Sequence, residues 1–293
     1  MNTRYATIQD QNFIDELCQL SYSNKKQWIG YPRVSDLNEL LAELKEYENT
    51  LDNSILIIEK DSEMIGFTGF LFEPGDDEAF VIGPVFVEQE HTFENVSRLL
   101  ETLMERSNFK DLFITVPSEN HITNRSLKND DWKNTYKQYE MKYELAYFNS
   151  VDLKYDIHPL TNSKGVKFNS VAQLFENVFE WKNAEERLGH YLDDFGMDAA
   201  YIEKDGELQG AVLWDDIEDT DFVRLEDVAV HPKARRQGIA SELIVHVLNK
   251  FADTNKATVF LAVDLDNNNA NNLYEKLGFE TTMLNCSYKC MKG

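Results

Sequence analysis

Little in this chain could make a disulfide framework, a membrane span or a nucleic-acid surface. Its 293 residues hold three cysteines, Cys18, Cys286 and Cys290. That is too few for a disulfide-stapled domain and reads as reduced thiols in a cytoplasmic protein. Cys286 and Cys290 fall on one expected C-terminal strand without a second Cys/His pair nearby, so no metal site is expected. No apolar run approaches the ~18 residues of a membrane helix. The N-terminus lacks the apolar stretch of a signal peptide, so no secretory leader is expected. Positive charge is scarce: 29 Lys and Arg against 52 Asp and Glu leave a net charge of −23. Residues 1–150 carry 27 acids against 14 bases and residues 151–293 carry 25 against 15, so the acid is no tail. Such a surface repels nucleic acid and anionic membranes, and neither is an expected partner. It would attract a cationic substrate, and it equally serves plain solubility. Neither a Gly-Lys-Ser/Thr phosphate loop nor the three-glycine dinucleotide fingerprint is present.

What the chain does contain is a repeat. Ile58-Glu-Lys-Asp-Ser-Glu-Met-Ile-Gly66 echoes Ile202-Glu-Lys-Asp-Gly-Glu-Leu-Gln-Gly210, at an offset of 144 (202 − 58). Residues 84–97 align without gaps on 227–240 at an offset of 143 (227 − 84), and 112–120 on 259–267 at 147 (259 − 112). Three blocks in one order at nearly constant offset imply two copies of one domain. The expected domains are 1–150 and 151–293, although no Pro/Gly/Ser-rich linker marks the boundary. Periodicity gives the first half a strand at 3–8, helices at about 10–22 and 35–49, and strands near 54–60, 64–73 and 79–87. A helix at 92–106, a strand at 112–116, a helix at 121–129 and strands within 132–149 follow. The second half is expected to run strand 154–159, helices 168–180 and 183–194, and strands 198–204, 207–216 and 221–231. It closes with helix 238–252, strand 257–263, helix 268–276 and strands within 278–291.

The copies differ where chemistry would sit. Val228-Ala-Val-His-Pro-Lys-Ala-Arg-Arg-Gln-Gly-Ile-Ala-Ser241 reads as a strand entering a helix through an Arg-x-x-Gly-x-Ala loop. Helix-start amides, the helix dipole, two arginines and a glycine together make a diphosphate cradle. The first copy has Thr92, Phe93, Asn95 and Ser97 at the places of Arg235, Arg236, Gly238 and Ala240, with Glu90 and Glu94 adding negative charge. It has kept the apolar pattern and lost the anion site, and reads as a degenerate, structural or substrate-shaping domain.

The loop resembles the acetyl-CoA-binding motif of the GNAT N-acetyltransferase superfamily, written Gln/Arg-x-x-Gly-x-Gly/Ala. A second segment, Asp264-Leu-Asp-Asn-Asn-Asn-Ala-Asn-Asn-Leu-Tyr-Glu-Lys-Leu-Gly-Phe279, resembles the family's next strand end and helix, and the likeness covers about 155–293. It implies an α/β (α+β) fold class: two tandem GNAT folds, each a mixed, mostly antiparallel central sheet flanked by helices. It implies a cytoplasmic acetyl-CoA-dependent N-acetyltransferase, with acetyl-CoA as co-substrate and no metal. The acetyl group would pass directly, in a ternary complex, to a primary amine of a small molecule or peptide. A cationic acceptor would suit the acidic surface, and the chain would be a monomer or homodimer. Two alternatives stay open: a non-catalytic acyl-CoA-binding or regulatory module, and transfer of another acyl group.

The resemblance also assigns residues. Val228, Ala229 and Val230 would hold the pantetheine arm as an added strand. Arg235, Arg236, Gln237, Gly238, Ile239, Ala240 and Ser241 would hold the pyrophosphate, and Asn267 and Ala270 the cofactor arm. Tyr274 stands where the family's general acid stands; at helical spacing with Leu273 and Leu277 it could equally be a core residue. Glu226, with Asp227 second, is the candidate base; regular alternation would put the two on opposite strand faces. Trp181, Trp214 and Asp215, the last opening the acidic run 215–221, are candidate acceptor-binding residues. Each tryptophan fits a core position as well.

Overall fold

The computed structural model describes residues 1–128 and 131–291. The chain forms two compact units, Met1–Tyr139 together with the segment from Met283, and Glu140–Thr282. The elements begin with β1 (Asn2–Tyr5), α1 (Gln11–Ser23), α2 (Leu37–Glu46) and the single turn α3 (Leu51–Ser54). Then come β2 (Ile55–Lys60), β3 (Glu63–Leu71), β4 (Glu78–Phe86), α4 (Phe93–Arg106), β5 (Asp111–Pro117), α5 (His121–Ser126) and β6 (Trp132–Glu144). The second series is β7 (Ile157–Leu160), α6 (Phe168–Phe179), α7 (Ala184–Asp193), β8 (Asp198–Lys204), β9 (Glu207–Asp215) and β10 (Phe222–Val230). It ends with α8 (Ile239–Phe251), β11 (Thr258–Asp264), α9 (Asn268–Leu277) and β12 (Glu280–Met291).

The first unit orders its strands β1-β2-β3-β4-β5, then the end of β12, then β6. Neighbours are antiparallel except β4 and β5, which run parallel over Glu78–Phe80 and Asp111–Phe113. Strand β12 lies antiparallel to β5, from Asn285↔Pro117 to Met291↔Asp111. Alternating side chains feed two cores. Ile55, Ile57, Phe67 and Ile82 pack with Ile14, Leu17, Leu40 and Leu44 of α1 and α2. Ile58, Phe86, Leu112 and Ile114 pack with Val96, Leu99, Leu100 and Leu103 of α4, together with Cys286, Tyr288 and Cys290 of β12.

The second unit orders its strands β7-β8-β9-β10-β11-β6. On one face Phe168, Val171, Phe175, Leu188 and Leu192 of α6 and α7 cover Ala199, Ala211, Leu213 and Ala229. On the other lies α8, whose buried Ile239, Leu243, Ile244, Val247, Leu248 and Phe251 recur at helical spacing.

The repeat is visible in irregularities as well as elements. The β2–β3 pairing shifts register between Ile58 and Glu59, and β8–β9 shifts between Ile202 and Glu203. Asp61 and Ser62 turn the first hairpin with positive φ, as Asp205 and Gly206 turn the second. Asn120 and Asn267 cap α5 and α9 with side-chain oxygens and nearly equal backbone angles.

The units divide the chain at 139/140 rather than 150/151, because one long strand, β6, fills the span expected to end the first half, and 283 onward belongs to the first unit. Residues 151–155 form no strand; they run along α8. Val151 N–H donates to Asn249 Oδ1 (3.1 Å), Lys154 N–H to Glu242 (2.5 Å) and the Tyr155 hydroxyl to the Gln237 carbonyl (3.0 Å). The expected helix 35–49 stops at Glu46, and the short α3 follows. Residue 129, where the expected helix 121–129 ends, lies outside the described residues. The described residues hold no helix long and apolar enough to cross a membrane.

Gly210 shows how closely α8 sits on the sheet. A Cβ there would meet the Ala229 carbonyl oxygen and Ile239 Cγ2 at 2.8 Å each, and Leu243 Cδ1 at 3.2 Å. Gly210→Val is expected to cost about 1–3 kcal/mol through overpacking. A urea titration of variant and parent checks this; equal midpoints would contradict it.

Candidate active site

The site starts from an extra residue in β10. Antiparallel to β9, β10 pairs Arg224↔Asp215 and Leu225↔Trp214, then resumes at Asp227↔Leu213, so Glu226 is bulged out. A bulge cancels the alternation of the pleat. The expectation that Glu226 and Asp227 face opposite sides is therefore corrected. Arg224, Glu226 and Asp227 share the face covered by α6 and α7.

The bulge accompanies a parting of strands. Parallel pairing of β10 with β11 runs from Phe222↔Thr258 to Leu225↔Leu261. Beyond it, among the described residues, β10 pairs only with β9, at Val228↔Val212, Ala229↔Ala211 and Val230↔Gly210. The other edge of 226–230 presents backbone groups free of ladder bonds. Ala229 itself is buried in the core, and Val228 and Val230 are half-buried.

At the end of β10 the chain makes a turn at His231, whose side chain accepts from Lys233 N–H. Arg236 and Gly238 both have positive φ, 65° and 87°. Successive amides in such alternating conformations make a concave anion-binding nest. The first helical bond of α8 runs from Glu242 N–H to the Gly238 carbonyl (3.0 Å), and no side chain caps the helix. The amides of Ile239, Ala240 and Ser241 precede the ladder. A Cβ at Gly238 would meet nothing within 4 Å, so its approach is open. Arg235, Arg236 and Gln237 are exposed around it, with Arg235 Nε 3.4 Å from the Val230 carbonyl. These are the donors a diphosphate needs.

Electrostatics joins the carboxylates to Tyr274. Arg224 Nη2 lies 2.7 Å from Asp215 and its Nε 3.4 Å from Glu226 Oε1. Glu226 keeps 36% of its side chain exposed to solvent. Desolvation raises its pKa above the usual carboxylate value, Arg224 and Arg187 oppose that, and Asp215 adds to it. Asp227 is pushed up to about 7, first by burial and then by Glu226, with Arg187 opposing. Tyr274 is pushed up to about 12, first by burial and then by Asp227. Its ring also packs edge-on against Phe279, 5.7 Å between centroids, so it has a packing role beside any chemical one.

Asn267 accepts from Ala270 N–H (3.2 Å) as the N-cap of α9, and Asn271 ties that helix to the carbonyls of Asp264 and Leu265. Trp181 is buried against Phe175 and Tyr191, with the Arg187 guanidinium 4.3 Å from its ring. Trp214 stands apart. It is buried on the α8 face, beside His246 and Lys250, because Leu225↔Trp214 falls on the side of the sheet opposite Asp227. Two acids of the hairpin are paired internally: Asp215 with Arg224 and Asp216 with Lys256 (2.7 Å). Lys256 also donates to the carbonyls of Ile217 and Thr220.

Three contributors escaped the sequence reading: Arg187 and Tyr191 on α7, and Tyr155 beside the loop. The first two stand one helical turn apart, which is a legible pairing signal. Their proximity to Glu226 depends on the bulge and was not legible.

The first unit keeps the scaffold without these groups. At the offset of 143, Gly83 and Pro84 stand where Glu226 and Asp227 do, and at the offset of 147 Leu127, fully buried, stands where Tyr274 does. Its α4 is capped from within. Thr92 Oγ1 accepts from Asn95 N–H, and Asn95 Nδ2 donates to the carbonyl and carboxylate of Glu90, which pairs with Lys60 at 2.9 Å. Among the described residues, no cluster of His, Cys, Asp or Glu could hold a metal.

A mixed sheet with flanking helices in each unit, a bulged strand parted from its parallel neighbour in both, and an uncapped helix start in the second define a GNAT-type architecture. Residues 168–279 match the acetyltransferase (GNAT) family. The whole chain resembles a GCN5-related N-acetyltransferase from Sphaerobacter thermophilus, with a TM-score of 0.72, 16% identity, and coverage of 99% of this chain and 95% of that one. It also resembles a tandem GNAT protein from the clavulanic acid biosynthesis pathway, with a TM-score of 0.64, 12% identity, and coverage of 100% and 98%. At such identities these likenesses concern the fold. Among curated relatives, a mycothiol acetyltransferase of a Mycobacterium strain is 28% identical over 156 residues, 45% of this chain and 52% of that protein. Another, from Mycolicibacterium smegmatis, is 33% identical over 108 residues, 36% of each. The chain thus spans about half the length, or less, of the curated relatives it matches.

Asp227 yields a prediction with a definite sign. Its folded value, about 7, lies above the ordinary 3.8. The folded state therefore binds the proton more tightly, and stability falls as pH rises toward and through neutrality. Asp227→Asn is expected to raise the thermal midpoint at about pH 8 and change it little at about pH 3.5, below the ordinary carboxylate value. Melting curves at both values check this; destabilisation at the higher pH would refute it.

Proposed function

We propose that the second unit transfers an acetyl group from acetyl-CoA to the primary amine of a small molecule or peptide, by direct attack in a ternary complex. The observation that carries this reading is the coupling of Asp227 to Tyr274 beside the unpaired edge of β10. Acetyl-CoA supplies an activated thioester. The free edge at Val228 and Val230 accepts its arm by strand-like hydrogen bonds. The nest at 235–241 and the dipole of α8 take its diphosphate. An N–H of the parted edge near Val228 polarises the thioester carbonyl. Asn267 and Ala270 line the arm.

Asp227, titrating near neutrality, takes the proton of the attacking amine, directly or through water. Glu226 is held by Arg224 and sustains the high proton affinity of Asp227. That makes Asp227 the better base of the pair. Tyr274 keeps its proton at neutral pH and gives it to the departing sulfur. A tyrosine near 12 is a weak acid, but one cause of its weakness is the charge on Asp227. When Asp227 accepts the amine's proton that charge disappears, and Tyr274 becomes more acidic as the thiolate needs a proton. The first unit, with its anion site filled by Thr92, Asn95 and Glu90, acts as a structural or substrate-shaping partner.

Two outcomes test the proposal. Calorimetry with acetyl-CoA is expected to show one site per chain, abolished by Arg236→Glu combined with Gly238→Trp; two equal sites would contradict it. Tyr274→Phe keeps the ring against Phe279 and removes the donor. Release of CoA thiol is expected to fall ~10²–10⁴-fold with acetyl-CoA affinity nearly unchanged. Unaltered turnover would make Tyr274 a packing residue only.

A further inference from the structure

The cation on α7 is left over by this account. Arg187 is exposed, but its guanidinium is fixed. It lies 4.3 Å from the Trp181 ring and 5.3 Å from the Tyr191 ring. Its Nε donates to the Tyr191 hydroxyl at 2.9 Å. Trp181 is itself locked by Phe175 and Phe179. One of five N–H donors is thereby spent on holding the plane. Among the described residues the two terminal nitrogens take no hydrogen bond or ion pair.

An arginine without a carboxylate partner is unusual beside two carboxylates. Arg187 stands on α7, whose Leu188 packs with Ala229 on the sheet face that also carries Asp227, and it acts electrostatically on both Glu226 and Asp227. It makes an ion pair with neither. Arg224 occupies that role for Glu226, at 3.4 Å. Two opposite charges therefore share this face without an ion pair joining them: Asp227 and Glu226 on β10, and on α7 a planar fork whose free donors match a carboxylate. A group bridging them must carry both signs.

We propose that Arg187 determines acceptor specificity by binding a carboxylate carried close to the reacting amine, so that the acceptor is an amino acid or a molecule with the same zwitterionic end. The proposal rests on the acetyl-transfer reading of the same site and narrows it. The amine reaches Asp227 while the carboxylate seats on the two terminal nitrogens of Arg187. Trp181 and Tyr191 serve as the platform that keeps the fork in plane. A plain polyamine would place a cation against Arg187 and be rejected.

The test uses the full chain with acetyl-CoA and a panel of L-amino acids, each beside its α-amide. CoA thiol release gives the acid-to-amide ratio of kcat/KM. The expected ratio favours the best acids by roughly ten- to a hundredfold, as one charge-assisted, bidentate contact provides. In Arg187→Gln the ratio is expected to collapse to about one through KM rather than kcat, and in Arg187→Lys to recover in part. Thermal midpoint and acetyl-CoA affinity are measured on each variant, so a folding defect is seen as such; only the ratio reports carboxylate recognition. Calorimetry of the same panel on CoA-loaded protein is a second readout independent of turnover. Binding of acids but not amides, lost in Arg187→Gln, would support the proposal even if no acetyl transfer occurred, and the transfer reading alone would then fail. Turnover of amides as fast as acids, or a ratio unmoved by Arg187→Gln, overturns the carboxylate proposal and leaves acetyl transfer standing. Failure of every acid to bind or react overturns it as well.

Discussion

One inserted residue in a strand governs the second unit. With Glu226 bulged out of the β9–β10 ladder, Arg224, Glu226 and Asp227 fall on one face instead of two. The same place marks the end of the β10–β11 pairing. A regular strand would have sent Asp227 toward α8 and kept β10 zipped to its neighbour. The carboxylates, the tyrosine they influence and the free backbone edge would not have met. The helix beyond depends on the same departure, because the strand must leave the sheet to deliver 235–238 to the start of α8.

The two units show what survives when such a site is given up. Parallel pairing at the start of the fourth strand, hairpin bulges and Asn caps are retained at matching positions. The groups that make charge are replaced: Gly83 and Pro84 for the carboxylates, Leu127 for the tyrosine, a Thr92 cap for the open helix start. Backbone features hold the sheet together and are kept by stability. An uncapped helix and buried carboxylates cost stability and persist only where something uses them.

Much of this was legible in the chain. The offsets near 144 gave the duplication, and the Arg-x-x-Gly-x-Ala loop gave the start of α8, because both are local patterns. Tyr274 was legible from its spacing to Asn267. What escaped was non-local. Strand alternation is a rule of regular pairing, and no residue type near 226 announces that one residue is extra. The face occupied by Trp214 followed from the same rule and from its pairing with Leu225, so it went to α8. The pairing of Asp216 was not legible because its partner Lys256 is 40 residues away (256 − 216). The units part at 139/140 rather than near 150 for a similar reason: β6 is one strand, and no turn signal breaks it.

The strand β12 carries a consequence for synthesis. Cys286, Tyr288 and Cys290 belong to the core of the first unit, and Asn285 to Met291 pair with β5. During translation, residues 1–139 emerge long before these side chains exist. The N-terminal half then waits with an open β5 edge and a gap in its apolar layer while the whole of 140–282 is made. The half that is translated first is therefore the half that finishes last. The nascent chain must shield that edge from other strands for the time it takes the ribosome to add more than a hundred residues, at ~5–20 residues per second.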